Sequence, residues 1–320
     1  MTKNQFMSVT TALAMLVAAA NSAAQTFPTK LIRLIVPFAP GGGNDVLGRM
    51  FALRMSESLA QTVVVDNRAG GGGNIGTEMV AHAPPDGYTL LYTTNSVAVA
   101  PSLYSKLNYS LKDLAPISLV ADFPIAIVIH PSVPARNVEE LIALARKRGG
   151  LNYGSTGTGS TNHLTGVLLN SVAGINNTHV PYKGAGPMMT AIISGEVEIA
   201  TPTVFTALPY VQAGRLRPLA VTTSNASPML PGVPAMASFY PGFDTNVWHG
   251  YFTTAGTPAP VIGVLHREII KALRSPEIRE SLVNGGAESV GTTPEEFGTI
   301  LTRDVAKYSK LVQISGAKAD

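Results

Sequence analysis

Short apolar runs alternate with amphipathic segments along most of the chain, a pattern that predicts strand–helix units and a mostly parallel sheet. Leu31-Ile32-Arg33-Leu34-Ile35-Val36 is nearly continuous in apolar residues and reads as a buried strand. Pro37 to Gly43 turns the chain, and Asn44-Asp45 opens a helix carrying Leu47, Met50, Phe51 and Leu53. Thr62–Val65 predicts a second strand, with a glycine-rich loop and a helix from about Ile75 to Ala83 behind it. The Pro84-Pro85-Asp86-Gly87 turn then leads to a third strand at Tyr88–Thr93, and Ile117 to Ile129 is a long extended stretch interrupted by Pro124.

A second set of units begins after Pro131. Asn137 and Glu140 predict a helix start, and Gly149-Gly150 a stop. Strands are predicted at Leu151–Tyr153 and Thr178–Tyr182, with Gly154–Ser160 as another glycine-rich turn. Pro187 suits the first turn of a helix that Gly195 ends. Further elements fall at Val197–Val204, Phe205–Gly214, Leu216–Thr223, Ala259–Arg274 and Pro276–Asn284, and Thr293-Pro294-Glu295-Glu296 caps a last helix.

Composition narrows the class. The 320 residues suffice for two ordinary domains, and 45% hydrophobic against 13% charged residues describes a packed globular protein. The net charge of +3 comes from dispersed basic residues, so no nucleic-acid stripe is formed. The absence of cysteine excludes thiol catalysis, thiolate metal sites and disulfides. Residues 1–24 read as a cleaved secretory signal peptide: Lys3, the apolar run Thr10–Ala20, and small residues before a cut after Ala24. That run is too short to span a bilayer comfortably. A soluble periplasmic protein, held by its core alone, is therefore expected.

The candidate chemistry lies in three segments of one design, strand then glycine-rich turn then helix: Val36–Asp45, Val65–Gly76 and Tyr153–His163. Glycine takes positive φ cheaply and lets backbone approach a ligand closely. The unpartnered amides at a helix start favour negative charge. The second loop contains a GxGxxG (Gly71 to Gly76), but the acid expected about 20 positions on is missing from Thr93-Thr94-Asn95-Ser96, so no dinucleotide cofactor is assigned. The six histidines show no metal-ligand spacing, and no nucleophile elbow occurs. No catalytic or metal set is assigned. His163 is placed to reach a ligand at the third loop, Lys183 is a candidate cation beside it, and Trp248 reads as core.

The segments "FPTKLIRLIVPFAPGGGNDVLGR", "VVVDNRAGGGGNIGTEMVAHAPPDGYTLLYTTNS", "LNYGSTGTGSTNHL", "HVPYKGAGP" and "GRLRPLAVTT" follow one another in this order. In that order they resemble the extracytoplasmic solute-binding receptors of the tripartite tricarboxylate transporter family, the Bug receptors. The resemblance implies a two-lobed α/β periplasmic binding protein of the Venus-flytrap, type II-like kind, each lobe a mostly parallel sheet flanked by helices. It places residues 25–121 plus 251–320 in one lobe and 122–250 in the other. A small organic carboxylate would lie between them, handed on to membrane transporter subunits or reported to a sensor protein. Carried onto this chain, the resemblance implies contacts from Phe38, Gly41, Gly42 and Asp45 in the first loop and Gly71, Gly72 and Asn74 in the second. Ser155, Thr156, Thr158, Gly159 and Ser160 follow in the third, with His163 and Tyr182 nearby. Ala69, Val167 and His249 depart from the family pattern, and the role of His249 stays open. A monomer without cofactor is expected. An exported hydrolase is disfavoured because no nucleophile–base pair is apparent in the sequence.

Overall fold

The computed structural model describes residues 27–315 and 317–318; the signal peptide expected over residues 1–24 lies outside them. Two sheets form. The larger contains β1 (Ile32–Val36), β2 (Val63–Asn67), β3 (Thr89–Thr94), β4 (Leu114–Pro124), β10 (Asn246–Thr254) and β11 (Glu288–Ser289), in the order β11-β4-β10-β3-β1-β2. The smaller contains β5 (Ala126–Ile129), β6 (Asn152–Ser155), β7 (Thr178–Pro181), β8 (Ile199–Ala200) and β9 (Arg217–Val221), ordered β7-β6-β8-β5-β9.

Both sheets are mixed where mostly parallel ones were expected. β1 pairs in parallel with β2 and β3, and β6 with β7 and β8. β10 runs against β3 and β4, β11 against β4, and β5 against β8 and β9. The reason is topological. β10 and β5 are the strands by which the chain enters each sheet from the cleft, so they must run opposite to neighbours that run toward it.

The long extended stretch predicted from Ile117 to Ile129 is two strands in different sheets. β4 ends at Pro124, Ile125 bridges Thr203, and β5 begins at Ala126. The returning segment passes alongside: Thr245 N donates to Thr222 O (2.9 Å), and Asn246 then pairs opposite Pro124. Residues 122–124 and 246–250, allotted above to the second lobe, thus pair within the larger sheet.

Helices cover both faces of both sheets. Leu47, Phe51 and Met55 of α1 (Gly43–Leu59) pack with Leu265 and Ile269 of α8 (Ala259–Leu273) against one face of the larger sheet. The other face takes Val80 of α2 (Asn74–Ala81), Leu103 of α3 (Ser96–Leu103), and Phe297 and Tyr308 of α10 (Pro294–Ser315). In the smaller sheet the corresponding helices are α4 (Val138–Arg148) and α5 (Thr161–Ala173) on one face, α6 (Ala185–Ser194) and α7 (Val204–Gln212) on the other. α9 (Pro276–Asn284) follows α8. Burial on both faces explains why β1 reads as continuously apolar. Its one charged residue, Arg33, pairs with Asp66 on β2. Trp248 is core, as expected, and donates Nε1–H to Asp304 Oδ2 at 2.7 Å.

Candidate functional site

The first glycine loop is built by Asp45. This residue, 5% exposed on the first turn of α1, accepts from Gly41 N (3.0 Å) and Asn67 Nδ2 (3.0 Å) and pairs with Arg49 (2.9 Å). Burial alone would raise its carboxyl pKa, but Arg49, Gly41 and Asn67 more than offset that and hold it below the ordinary carboxylate range. Asn67 Nδ2 also donates to Phe38 O at 3.0 Å, so the end of β2 fixes the loop beyond β1.

In the second loop Gly70, Gly71, Gly72 and Gly73 all take positive φ, which no other residue type tolerates in succession. Gly72 lies directly against the Thr158 carbonyl of the third loop, leaving no room for a Cβ. Asn74 opens α2, and its Oδ1 accepts from Tyr109 OH at 2.7 Å.

The third loop is held largely by its own side chains. Ser160 is the N-cap of α5: its Oγ accepts from His163 N (3.1 Å) and donates to Gly157 O (2.7 Å). His163 Nδ1 accepts from Gly159 N at 3.3 Å, and the ring stacks on His179 at 4.0 Å. Burial lowers the His163 imidazole to about 4, and burial with the neighbouring His163 lowers His179 to about 3. Ser155 Oγ stands 2.6 Å from His179 Nε2, a nucleophile–base contact invisible in the sequence. Ser155 is completely buried, and neither residue lines any of the three interlobe cavities described below.

Between the sheets lies a central cavity of about 20 Å³, room for one water. Four helices present their first turns to it: Gly43 and Asn44 of α1, Asn162 of α5, Ala185 of α6, and the N-cap Thr203 with Thr206 of α7. Phe38, Phe123, Phe205 and Val247 supply apolar walls, and Thr94, Thr156 and His249 complete the lining. Among the described residues no charged side chain lines it. The fixed electrostatic contribution is therefore mainly the positive ends of α5, α6 and α7, that of α1 being offset in part by the ionised Asp45 in its first turn; each end is worth about 0.3–1 kcal/mol to an anion when exposed and more where water is excluded.

His249 is 2% exposed, set between the Phe123 ring (4.3 Å) and Tyr92, whose OH lies 2.8 Å from Nδ1. Burial pushes the imidazole down to about 3, so it is neutral at pH 7.

Two larger spaces flank the central cavity. One, of about 240 Å³, is lined by the second and third glycine loops with Tyr182 and Lys183. The other, of about 600 Å³, lies beside Gly41, Gly42, α6 and α7. The two sides of the cleft touch at both rims: Ala39 N donates to Lys183 O (2.8 Å), and Tyr104 OH to Thr158 O (2.9 Å).

Of the residues singled out in the sequence, Phe38 and Thr156 line the central cavity. Gly71, Gly72, Thr158 and Tyr182 line the 240 Å³ space, and Gly41 and Gly42 the opposite groove. The Tyr182 hydroxyl itself is turned to Glu196 Oε1 (2.8 Å); burial and that carboxylate raise it to about 12. Asp45, Asn74, Ser155, Gly159, Ser160 and His163 line none of these spaces and hold the loops instead. Sequence reasoning left out Asn44, Thr94, Phe123, Asn162, Thr203, Phe205 and Thr206. Asn162 and Thr203 carried a readable signal, a polar residue at a helix start.

A family model described as "Tripartite tricarboxylate transporter family receptor" matches residues 47–316. A protein encoded in the tcbD–tcbE intergenic region of Pseudomonas sp. strain P51 is 37% identical over 290 residues, 89% of this chain and 86% of the relative. Among solved structures, the periplasmic binding protein BugD superposes with a TM-score of 0.88 at 33% identity, covering 91% of this chain and 99% of BugD. Rpa4515 of R. palustris, solved with adipate, gives 0.86 at 34% identity, covering 91% and 98%.

Proposed function

Because the chain belongs to the tripartite tricarboxylate transporter receptor family, we propose that it captures a small organic carboxylate between its two lobes and delivers it to membrane transporter subunits. One lobe comprises residues 27–124, 246–315 and 317–318, the other 125–245. The observation carrying this reading is the central cavity, where four helix starts converge and, among the described residues, no charged side chain lines the space. The adipate in the structure of Rpa4515 supports the same chemistry for this chain.

The rim contacts describe the lobes drawn together. The central cavity has room for one water, so a four- to six-carbon acid enters when the lobes part at the crossings near Ile125 and Asn246 and on closure extends into the adjoining 240 Å³ space, which shares Phe38 and Thr156 with it. A bound ligand favours closure by its differential affinity for the closed form, and exclusion of water strengthens its hydrogen bonds. The protein acts in the periplasm after its leader is cut behind Ala24.

Titration calorimetry of the protein with adipate, succinate, benzoate and glutamate tests the reading. Saturable 1:1 heat with at least one acid, and a stability gain of about 2.7 kcal/mol at 100 times its Kd, are expected. Silence from folded, ligand-free protein across the panel would overturn it.

A further inference from the structure

The central cavity offers its donors to one carboxylate head. Gly43, Asn44, Asn162, Ala185 and Phe205 line it from the first turns of four helices, where backbone amides have no partner within the helix. Asn44 Nδ2 is also buried there without a partner among the described residues. Room for one water is room for one carboxylate oxygen. The rest of the ligand lies elsewhere.

Two spaces adjoin. The 600 Å³ groove shares Gly43, Phe205 and Thr206 with the central cavity, and among the described residues no charged side chain lines it. The 240 Å³ space shares Phe38 and Thr156, and Lys183 is its one charged lining residue among those described. Lys183 has no acidic partner among the described residues. No acid lines this space, and the Glu196 carboxylate accepts from the Tyr182 hydroxyl at 2.8 Å.

The backbone adds to the lysine. Gly71, Gly72, Thr156 and Thr158 all line the 240 Å³ space, and among the described residues their N–H groups make no hydrogen bond. The first two residues belong to one lobe, and the last two with Lys183 to the other. The set is therefore complete only with the lobes together, as the bond from Ala39 N to Lys183 O (2.8 Å) holds them. An anion placed here meets unpaired donors and a counter-charge, which is what desolvation of a charge requires. An apolar tail would leave the same donors without acceptors.

We infer that the receptor selects a two-headed acid, one carboxylate reaching the helix starts beside Asn44 and the second held in the 240 Å³ space by the glycine-loop amides, with Lys183 setting the preference for that second head. The inference rests on the carboxylate-receptor reading and deepens it, naming a ligand class and the residue that discriminates it.

Titration calorimetry that pairs each two-headed acid with its one-headed counterpart, adipate with hexanoate and succinate with butyrate, is the test, on the protein, Lys183→Met and Lys183→Arg. Lys183 is exposed, and its carbonyl contact with Ala39 survives a side-chain change. At least one two-headed acid is expected to bind about tenfold or more tightly than its counterpart. Lys183→Met should weaken that acid about tenfold and leave the one-headed acid within twofold, and Lys183→Arg should keep the preference. A one-headed acid binding as tightly as its two-headed partner in both pairs overturns the inference and leaves the receptor reading standing. Unchanged two-headed affinity in Lys183→Met, or equal weakening of both members of a pair, overturns the role of Lys183. No heat with these four acids or with the wider panel overturns the receptor reading itself.

Discussion

Gly72 and Thr158 meet across the cleft, the glycine's Cα face lying against the threonine's carbonyl oxygen with no space for a side chain. One residue belongs to the larger sheet's second loop, the other to the smaller sheet's glycine turn. Their contact is possible only when the lobes are together, so it reports closure directly.

Gly72→Ala is therefore expected to block closure without unfolding either lobe. Its φ of 62° costs alanine about 1–2 kcal/mol, and the added methyl collides with Thr158 O. Ligand affinity should fall by tenfold or more, roughly the 1.4 kcal/mol that such a factor represents. Small-angle scattering at saturating ligand should show the variant still extended; a compaction equal to that of the unsubstituted protein would refute this account of the contact.

Acid should destabilise the fold through its buried histidines. His163, His179 and His249 titrate at about 4, 3 and 3 in the folded protein, against 6.5 in the unfolded chain. Between those values the unfolded chain binds more protons, so a falling pH favours unfolding. The stabilisation is fully present above pH 6.5 and is lost as pH drops toward 4 and below. Asp122 opposes the trend at its acid end. Burial raises its pKa, with Glu288 and Asp304 contributing, so protonation relieves a cost there. Calorimetric Tm should be level above about pH 7 and decline from about pH 6 downward. A Tm level to pH 4 would contradict the buried, neutral assignment.

Asp45→Asn should loosen the first glycine loop. It removes the charge from three contacts, to Gly41 N, Asn67 Nδ2 and the exposed Arg49. Loss of about 1–3 kcal/mol in urea denaturation is expected, with weaker ligand binding because Gly42 and Gly43 shift. The native contribution is present above the unfolded carboxyl value of 3.8 and is lost as pH falls through the lower folded value. Equal stability of the variant at pH 7 would show that the loop does not depend on the charge.

Ser160→Ala should act on stability before affinity. The hydroxyl caps α5 and holds Gly157, so its loss costs about 1 kcal/mol of unfolding free energy. Ligand affinity should fall only as far as the third loop relaxes. A tenfold affinity loss at unchanged stability would instead make Ser160 a direct ligand contact.

Much of this protein was determined locally. Apolar runs such as Ile32–Val36 specify buried strands, because a strand covered on both faces needs no polar side. Helix ends were equally readable: Gly149 and Gly195 stop α4 and α6 in left-handed geometry, and Thr293 with Glu296 starts α10 through a reciprocal cap. The three glycine loops, which line the larger spaces beside the central cavity, follow from the same short-range rules. Tertiary structure decided the rest. Ile125 looks like the middle of one strand, yet the chain changes sheet there, because pairing partners lie about 80 and 120 residues away at Thr203 and Asn246. His249 and Asn44 are distant in sequence, and each has an unremarkable local pattern. Only the closing of two sheets over Phe123 and Phe205 buries His249 and leaves Asn44 Nδ2 without a partner among the described residues. Local spacing sets where the backbone turns; which polar groups end up dry, and so which can discriminate a ligand, depends on what the rest of the chain packs over them.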